Sequence, residues 1–83
     1  MYTVYVLRSA RDGNLYIGQT NDLRKRLIRH SAGYVKSTKH RRPLQLVYTK
    51  EFDTRVEAMK YEKYLKSGAG HQYINHQIGR HVP

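Results

Sequence analysis

The six acidic residues are the first candidates for chemistry, because a cysteine-free chain must hold a metal ion with carboxylate, imidazole or hydroxyl groups. Asp12 belongs to a turn, Asp22 precedes a helix, and Glu57 has the spacing of a capping box. Glu62 instead points toward the side of its predicted helix that should pack on a sheet, where a carboxylate needs a cation or a metal. An i,i+4 ion pair with Lys66 on a solvated flank is an equally open interpretation.

A second candidate group lies in the basic segment that follows residue 21. Arg26 and His30 are neighbours on one side of a helix whose apolar residues are Leu23 and Leu27. An arginine and a histidine beside a buried face suit phosphate recognition, because the guanidinium presents a rigid fork of donors. The alternative is that Arg26 extends along the surface and His30 interacts with the helix end.

A predicted β-hairpin supplies the third group. If residues 12–13 form a two-residue turn, residues 11 and 14 pair, and Tyr5, Tyr16, Gly18 and Thr20 share one face. The aliphatic residues of the other face are expected to be core: Val4, Val6, Leu15 and Ile17. Strand tyrosines are commonly half-buried packing residues. Two tyrosines together on a polar face that a glycine leaves open are better candidates for a functional site than a single strand tyrosine is.

The charge balance predicts a polyanionic partner. Sixteen Lys and Arg residues against six Asp and Glu residues give a formal charge of +10. Nucleic acid is favoured over an anionic membrane, because each phosphate contact releases counterions and no basic amphipathic helix with bulky anchors is present. The segment 34–42 carries the predicted contacts: Tyr34, Lys36, Ser37, Thr38, Lys39, Arg41 and Arg42. A solvated run of charge is the ordinary alternative.

These residues sit on a predicted α+β domain, a small three-stranded antiparallel sheet flanked by helices in the order β-β-α-β-α. The strands are predicted at 2–8, 14–20 and 44–52, and the helices at about 22–30 and 54–67. Eighty-three residues suit one domain, with its core in 2–66. Residues 67–83 are expected to be an extension, with a short helix at 72–77 and then a loose tail. The N-terminus lacks signal-peptide features, so a cytoplasmic location is expected.

Taken together, the sequence resembles the GIY-YIG nuclease family. The matching segments, in chain order, are Thr3-Val4-Tyr5, Tyr16-Ile17-Gly18, Asp22 to His30, and Tyr61-Glu62-Lys63. Thr-Val replaces Gly-Ile in the first motif, but the tyrosine is kept. Arg26 matches the essential arginine of the family and Glu62 its metal-binding glutamate. The resemblance covers residues 2–66 and is nearest to small stand-alone, single-domain members related to the excinuclease nuclease domain.

The resemblance implies a divalent-metal-dependent endonuclease that acts on DNA, with branched or damaged structures as the candidate substrates. Glu62 would hold one Mg²⁺ or Mn²⁺ ion, with Glu57 as the competing choice if the helix register differs. Tyr5 would act as general base, assisted by Tyr16 or His30, and this role needs either a lowered pKa or a metal or cation nearby.

Other implied features concern the substrate. Arg26 would brace the phosphate, and Gly18 would add a contact to the nucleic acid. Substrate targeting would come from a protein partner or a homodimer, since a second domain of the kind that often supplies it is not found in this sequence. A non-catalytic DNA- or RNA-binding module that keeps the fold is the main alternative, and a protein adaptor is a weaker one.

Overall fold

The structure is a computed structural model that describes residues 1–79. Its elements are the strands β1 (Tyr2–Ser9), β2 (Leu15–Thr20) and β3 (Leu44–Phe52), the helices α1 (Leu23–Ala32), α2 (Arg55–Lys66) and α3 (Gly68–Gly79), and a 3-10 turn at Lys39–Arg41. The strands form one antiparallel sheet in the order β2-β1-β3. The predicted α+β class is confirmed. No helix within residues 1–79 is both long and apolar enough to cross a membrane.

The β1–β2 hairpin has a longer loop than predicted. Tyr5 pairs with Gly18, a register two residues from the one that a two-residue turn would give. The loop closes through Ser9, whose amide donates to the carbonyl of Asn14 and whose carbonyl accepts from the amide of Gly13, both at 2.9 Å. Because side chains alternate with a period of two, this shift leaves every residue on its predicted face.

One face of the sheet packs on α2, and α3 packs on α2 in turn. The buried core on this side consists of Val4, Val6, Ile17, Ala58, Leu65, Ile74 and Ile78. Ile74 and Ile78 come from α3, which is longer than the predicted 72–77 helix. Burial of each isoleucine contributes about 1.5–3 kcal/mol, so the prediction that the core ends at residue 66 is wrong. The predicted loose tail at 80–83 lies outside the described residues.

Glycine explains both how α3 packs and why it was underestimated. A Cβ at Gly70 would overlap the backbone carbonyl of Tyr64, so only glycine permits this approach of α3 to the end of α2. The same residue, together with Gly68, lowers the intrinsic helix propensity of the segment. Tertiary packing therefore overrides the local signal.

The opposite face of the sheet is covered by α1 and the segment that follows it. The Oδ1 of Asp22 accepts from the amide of Lys25 at 3.1 Å, which is the predicted N-cap. Gly33 ends the helix at φ 84°, a left-handed conformation that favours glycine. The chain then folds back over the sheet, and the side chains that meet β1 from this side form the candidate active site.

Candidate active site

The hydroxyl of Tyr5 lies between an arginine and a histidine from α1. Arg26 donates its Nε–H to this oxygen at 3.2 Å, and the Nε2 of His30 lies 2.9 Å from it. Tyr5 is 0% exposed and His30 1% exposed, whereas Arg26 is half-buried. The structure thus brings together three of the predicted site residues, and the alternative that His30 serves the helix end is wrong for its side chain.

The hydrogen-bonded chain continues into the segment after α1. The Nδ1 of His30 lies 2.8 Å from the Oγ1 of Thr38, and this hydroxyl lies 3.4 Å from the carbonyl oxygen of Val35. Thr38 is 0% exposed. It therefore cannot contact nucleic acid as predicted, and its hydroxyl serves His30 instead. The sequence carries no local signal for this contact, because the two residues belong to different elements.

Tyr16 and Gly18 complete the site from β2. The Tyr16 ring lies 6.3 Å from the Tyr5 ring and 5.1 Å from the His30 ring, measured between centroids. A Cβ at Gly18 would come within 2.6 Å of the Tyr5 hydroxyl oxygen. Gly18 is buried and makes room for that hydroxyl, so the prediction that it contacts nucleic acid is wrong, as is the expectation that this face is open.

Burial and the nearby guanidinium set the protonation states of the site. Burial raises the pKa of Tyr5 above its ordinary value, although the hydrogen bond from Arg26 acts in the opposite direction. Burial, assisted by the charge of Arg26, lowers the pKa of His30. The hydrogen bond to Tyr5 raises the pKa of Arg26. In the substrate-free protein Tyr5 is therefore a neutral phenol and His30 a neutral imidazole at pH 7. Of the two conditions expected for a tyrosine base, the lowered pKa is not found, whereas the nearby cation is present as Arg26.

The lowered pKa of His30 predicts a loss of stability in mild acid. In the unfolded chain the imidazole binds a proton as the pH falls through its ordinary pKa near 6.5, whereas the folded state resists protonation until a lower pH. The stabilisation is complete above the unfolded pKa and is lost as the pH falls through the folded pKa. We expect the melting temperature to fall between pH 7 and pH 5, measured by thermal unfolding. In the His30→Gln variant the fall should be smaller, and equal slopes for both proteins would contradict the prediction.

Glu62 is held in an ion pair at the edge of the sheet. Its Oε2 lies 2.7 Å from the Nζ of Lys66, and the two side chains are 21% and 54% exposed. Lys66 also lines a surface groove of about 300 Å³ together with Tyr16 and His71. Helix α2 packs against β2. The local pair with Lys66 that the sequence allowed is therefore present, and of its two members it is Lys66 that shares a groove with Tyr16.

Glu57, the competing acid, has a different environment. The hydroxyl of Thr54 lies 3.0 Å from its Oε1, and its own amide donates to the Thr54 Oγ1 at 3.2 Å. The second contact is one half of the predicted capping box at the start of α2, whereas the carboxylate accepts from the Thr54 hydroxyl and not from its amide. The exposed carboxylate of Glu57 is thus engaged locally, as that of Glu62 is by Lys66, and the choice of Glu62 over Glu57 stays a prediction.

The donor set near Glu62 suits one water-rich metal ion. Within residues 1–79, no three His, Asp or Glu side chains come close enough together to hold a metal by themselves. Mg²⁺ commonly keeps several waters and binds through one or two carboxylates plus substrate phosphates. A single carboxylate such as Glu62 fits that chemistry, provided that its ion pair with Lys66 opens. Glu62 would therefore supply one ligand of such a site, and water or a substrate phosphate the others.

The predicted contact segment divides into exposed and internally bonded residues. The exposed members are Tyr34, Lys36, Ser37, Lys39 and Arg42, and Tyr34 is 74% exposed. Arg42, although exposed, donates to the carbonyls of Lys39 and Ser31 at 3.0 and 3.2 Å and so ties α1 to the 3-10 turn.

Arg41 is bound internally as well. It donates to the Leu15 carbonyl at 3.4 Å, and its Nε lies 3.9 Å from Asp12. Both arginines therefore hold the loops of the protein together, and charge reversal at either position would disturb the fold as well as any nucleic-acid contact. The exposed residues of the predicted contact segment that are not held in this way are Tyr34, Lys36, Ser37 and Lys39.

This arrangement of a tyrosine-bearing hairpin, a helix with arginine and histidine, and a later helix that carries Glu62 is that of the GIY-YIG class of domain. The family model described as the GIY-YIG catalytic domain matches residues 1–75, and the chain belongs to this family. The resemblance noted in the sequence is thereby confirmed.

Small proteins of one named group are similar to the chain. It is 46% identical over 65 residues to the UPF0213 protein of Staphylococcus saprophyticus, a match covering 77% of this chain and 78% of that protein. It is 44% identical over 63 residues to the UPF0213 protein YazA of Bacillus subtilis, covering 75% and 63%. The chain thus spans less than two thirds of that Bacillus protein.

A solved structure shows the same architecture. The solution NMR structure of the UPF0213 protein BH0048 from Bacillus halodurans superposes with a TM-score of 0.57 at 34% identity. The match covers 95% of this chain and 88% of that chain. It therefore includes the elements that carry Tyr5, Arg26 and Glu62.

Proposed function

We propose that the chain acts as a single-domain, divalent-metal-dependent endonuclease that hydrolyses phosphodiester bonds in nucleic acid, with DNA favoured over RNA and branched or damaged DNA as the preferred form. The observation that carries the proposal is the fully buried Tyr5 hydroxyl, bound by Arg26 on one side and by His30 on the other. A binding module does not need a phenol buried against a guanidinium and an imidazole, whereas a site that transfers protons does.

The chain of hydrogen bonds supports a proton relay that avoids a free tyrosinate. The Tyr5 oxygen accepts a proton from the attacking water while its own proton passes to the Nε2 of His30. Tyr5 then remains neutral throughout, in keeping with its raised pKa, and the imidazole carries the charge. The lowered pKa of His30 keeps this nitrogen unprotonated and ready at neutral pH.

Arg26 has two roles in this proposal. Its Nε–H bond to Tyr5 uses one of five guanidinium N–H donors and Tyr16 is a second hydrogen-bond partner, so a bound phosphate would take the donors that remain. As negative charge builds on the phosphate, this positive group stabilises it. Arg26 also covers the Tyr5 hydroxyl, so its shift toward a bound phosphate would open a path for the attacking water.

Glu62 would hold the single Mg²⁺ or Mn²⁺ ion once Lys66 releases it. Such an ion supplies Lewis-acid stabilisation of the phosphate and of the leaving oxygen. This role is supported by the groove that Lys66, the ion-pair partner of Glu62, shares with Tyr16.

Two features favour a second candidate, a non-catalytic nucleic-acid binder. The Glu62 carboxylate is neutralised by Lys66, and the pKa of Tyr5 is raised rather than lowered. Both are compatible with a domain that keeps the fold and the charge of +10 without turnover. The two candidates make different predictions for one experiment.

The deciding experiment measures binding and cleavage on duplex, single-stranded, flapped and branched DNA and on RNA, over a range of Mg²⁺ and Mn²⁺ concentrations. The wild-type protein, Glu62→Gln and Glu57→Gln are compared. We expect metal-dependent cleavage by the wild type. Glu62→Gln should need about tenfold more metal or above, because ligand charge sets the affinity of oxygen-ligated cations.

Glu57→Gln is the matched control, since it removes the same charge from the same helix and should leave the metal requirement unchanged. Tight binding with no cleavage of any substrate by the wild type would overturn the nuclease proposal and support the binding module. An equal change in both variants would remove Glu62 from the metal site.

The exposed lysines of the 34–42 segment should contribute to binding in a salt-dependent manner. Reversal of both Lys36 and Lys39 to Glu should make the slope of log affinity against log salt shallower by about 2, since each lost phosphate contact removes about 0.9. Reversal of Arg55 and Lys60, exposed on α2, changes the net charge equally and serves as control. An equal change in slope for both pairs would show that charge alone, and not this surface, determines binding.

A further inference from the structure

We infer that Thr38 is a positioning residue: its hydroxyl fixes the proton of neutral His30 on Nδ1 and so keeps Nε2 available to the Tyr5 hydroxyl. The geometry of the hydrogen-bonded chain and the burial of its members carry this inference. Its consequence for cleavage rests on the proposed nuclease function, but the proton position itself does not.

The groups at the two ends of the chain of hydrogen bonds have fixed roles, one as an acceptor and the other as a donor. A backbone carbonyl only accepts, and it is the Val35 carbonyl that lies 3.4 Å from the Thr38 Oγ1. A guanidinium only donates, and the Nε–H of Arg26 donates to the Tyr5 oxygen. All the hydrogen bonds between these ends can then run in one direction. Thr38 donates to Val35, His30 donates from Nδ1 to Thr38, and Tyr5 donates to Nε2.

The opposite tautomer would reverse the hydrogen bonds of the site. With its proton on Nε2, His30 would join Arg26 in donating to the Tyr5 oxygen, and the Tyr5 proton would have to point away from the imidazole, toward Tyr16. No proton could then pass from Tyr5 to His30, because Nε2 would already carry one. The site therefore needs a device that selects between the tautomers, and the partner of Nδ1 is that device.

Thr38 is well held for this role. Its amide donates to the Val35 carbonyl at 3.1 Å, and its own carbonyl accepts from the Arg41 amide at 2.9 Å. The residue is 0% exposed, so water does not compete for its hydroxyl. A fixed backbone and a dry environment leave the Oγ1 at 2.8 Å from Nδ1 with little freedom to reorient.

The tautomer matters because the imidazole is neutral. Burial and the neighbouring guanidinium of Arg26 lower the pKa of His30. At neutral pH the ring therefore carries one proton, which lies either on Nδ1 or on Nε2. Removal of the partner that orients a metal-bound histidine through its second nitrogen typically lowers metal affinity or activity by about 10- to 100-fold. We expect an effect of this size on cleavage.

The test compares the wild type, Thr38→Val and Thr38→Ser by nitrogen NMR of the His30 ring and by cleavage rate. Valine keeps the shape of threonine without the hydroxyl, and serine keeps the hydroxyl. We expect Nδ1–H in the wild type and in Thr38→Ser, and a shift toward Nε2–H in Thr38→Val. Cleavage should fall roughly 10- to 100-fold in Thr38→Val and recover in Thr38→Ser.

Several outcomes would overturn the inference. An Nε2–H tautomer in the wild type would do so, and so would an Nδ1–H tautomer that persists unchanged in Thr38→Val. If Thr38→Val does not fold, the wild-type and Thr38→Ser spectra still decide the question. If the wild type cleaves no substrate, the nuclease proposal fails, while the ring spectra still test the role of Thr38 independently.

Discussion

Replacement of Arg26 by alanine is expected to reduce cleavage by roughly 10²- to 10³-fold while nucleic-acid binding weakens only slightly. A preorganised donor aimed at developing charge has an effect of this size when it is removed. Arg26 meets that description, because its Nε–H is anchored on the Tyr5 hydroxyl and the guanidinium has further donors to offer a phosphate. Binding draws on many cations in a chain of net charge +10, so one of them contributes little to affinity.

Single-turnover cleavage and equilibrium binding without divalent metal separate these two effects. Arg26→Lys is the matched control, since it keeps the charge but loses the planar fork of donors. We expect its cleavage rate to lie between those of the wild type and Arg26→Ala. A fully active Arg26→Ala protein would exclude the guanidinium from the chemical step.

Replacement of Tyr5 by phenylalanine should reduce cleavage by roughly 10²- to 10⁴-fold, the range for a general base. The change removes the oxygen that connects Arg26 to His30 and leaves both groups without this partner. A stability loss of about 1–3 kcal/mol should accompany it, because buried polar groups lose a hydrogen bond. Chemical unfolding of both proteins measures that loss separately from the rate.

Tyr16→Phe is the control for Tyr5→Phe, because it deletes a phenolic hydroxyl from the neighbouring strand without breaking the bonds to Arg26 and His30. Its rate should fall much less than that of Tyr5→Phe. Equal losses in the two variants would show that the proton passes through both tyrosines. Undiminished cleavage in Tyr5→Phe would transfer the role of base to another group.

The local features of this protein were predictable from the amino-acid sequence. The alternation of apolar and polar residues placed Tyr5, Tyr16 and Gly18 on one face of the sheet even though the predicted turn was two residues too tight. Asp22 and Thr54 were identifiable as helix caps because capping depends on residues within one turn of each other. The family motifs then pointed to Arg26 and Glu62 with no knowledge of their contacts.

The contacts that join distant segments were decided by tertiary structure. Thr38 and Arg42 belong to a run of basic and hydroxyl residues that resembles a solvated loop, yet the first is buried against His30 and the second ties α1 to the 3-10 turn. Helix α3 reaches the core despite its glycines, because packing against α2 outweighs weak helix propensity.

The physical reason is the range over which each interaction acts. Alternation and capping are set by covalent geometry within a few residues, so a short stretch of sequence contains them. The burial of a hydroxyl, the pKa of a phenol and the partner of an imidazole depend on which segments meet. The sequence by itself therefore determined the elements and the residue types of the site, whereas the hydrogen-bonded chain from Tyr5 through His30 to Thr38 formed only when the chain folded.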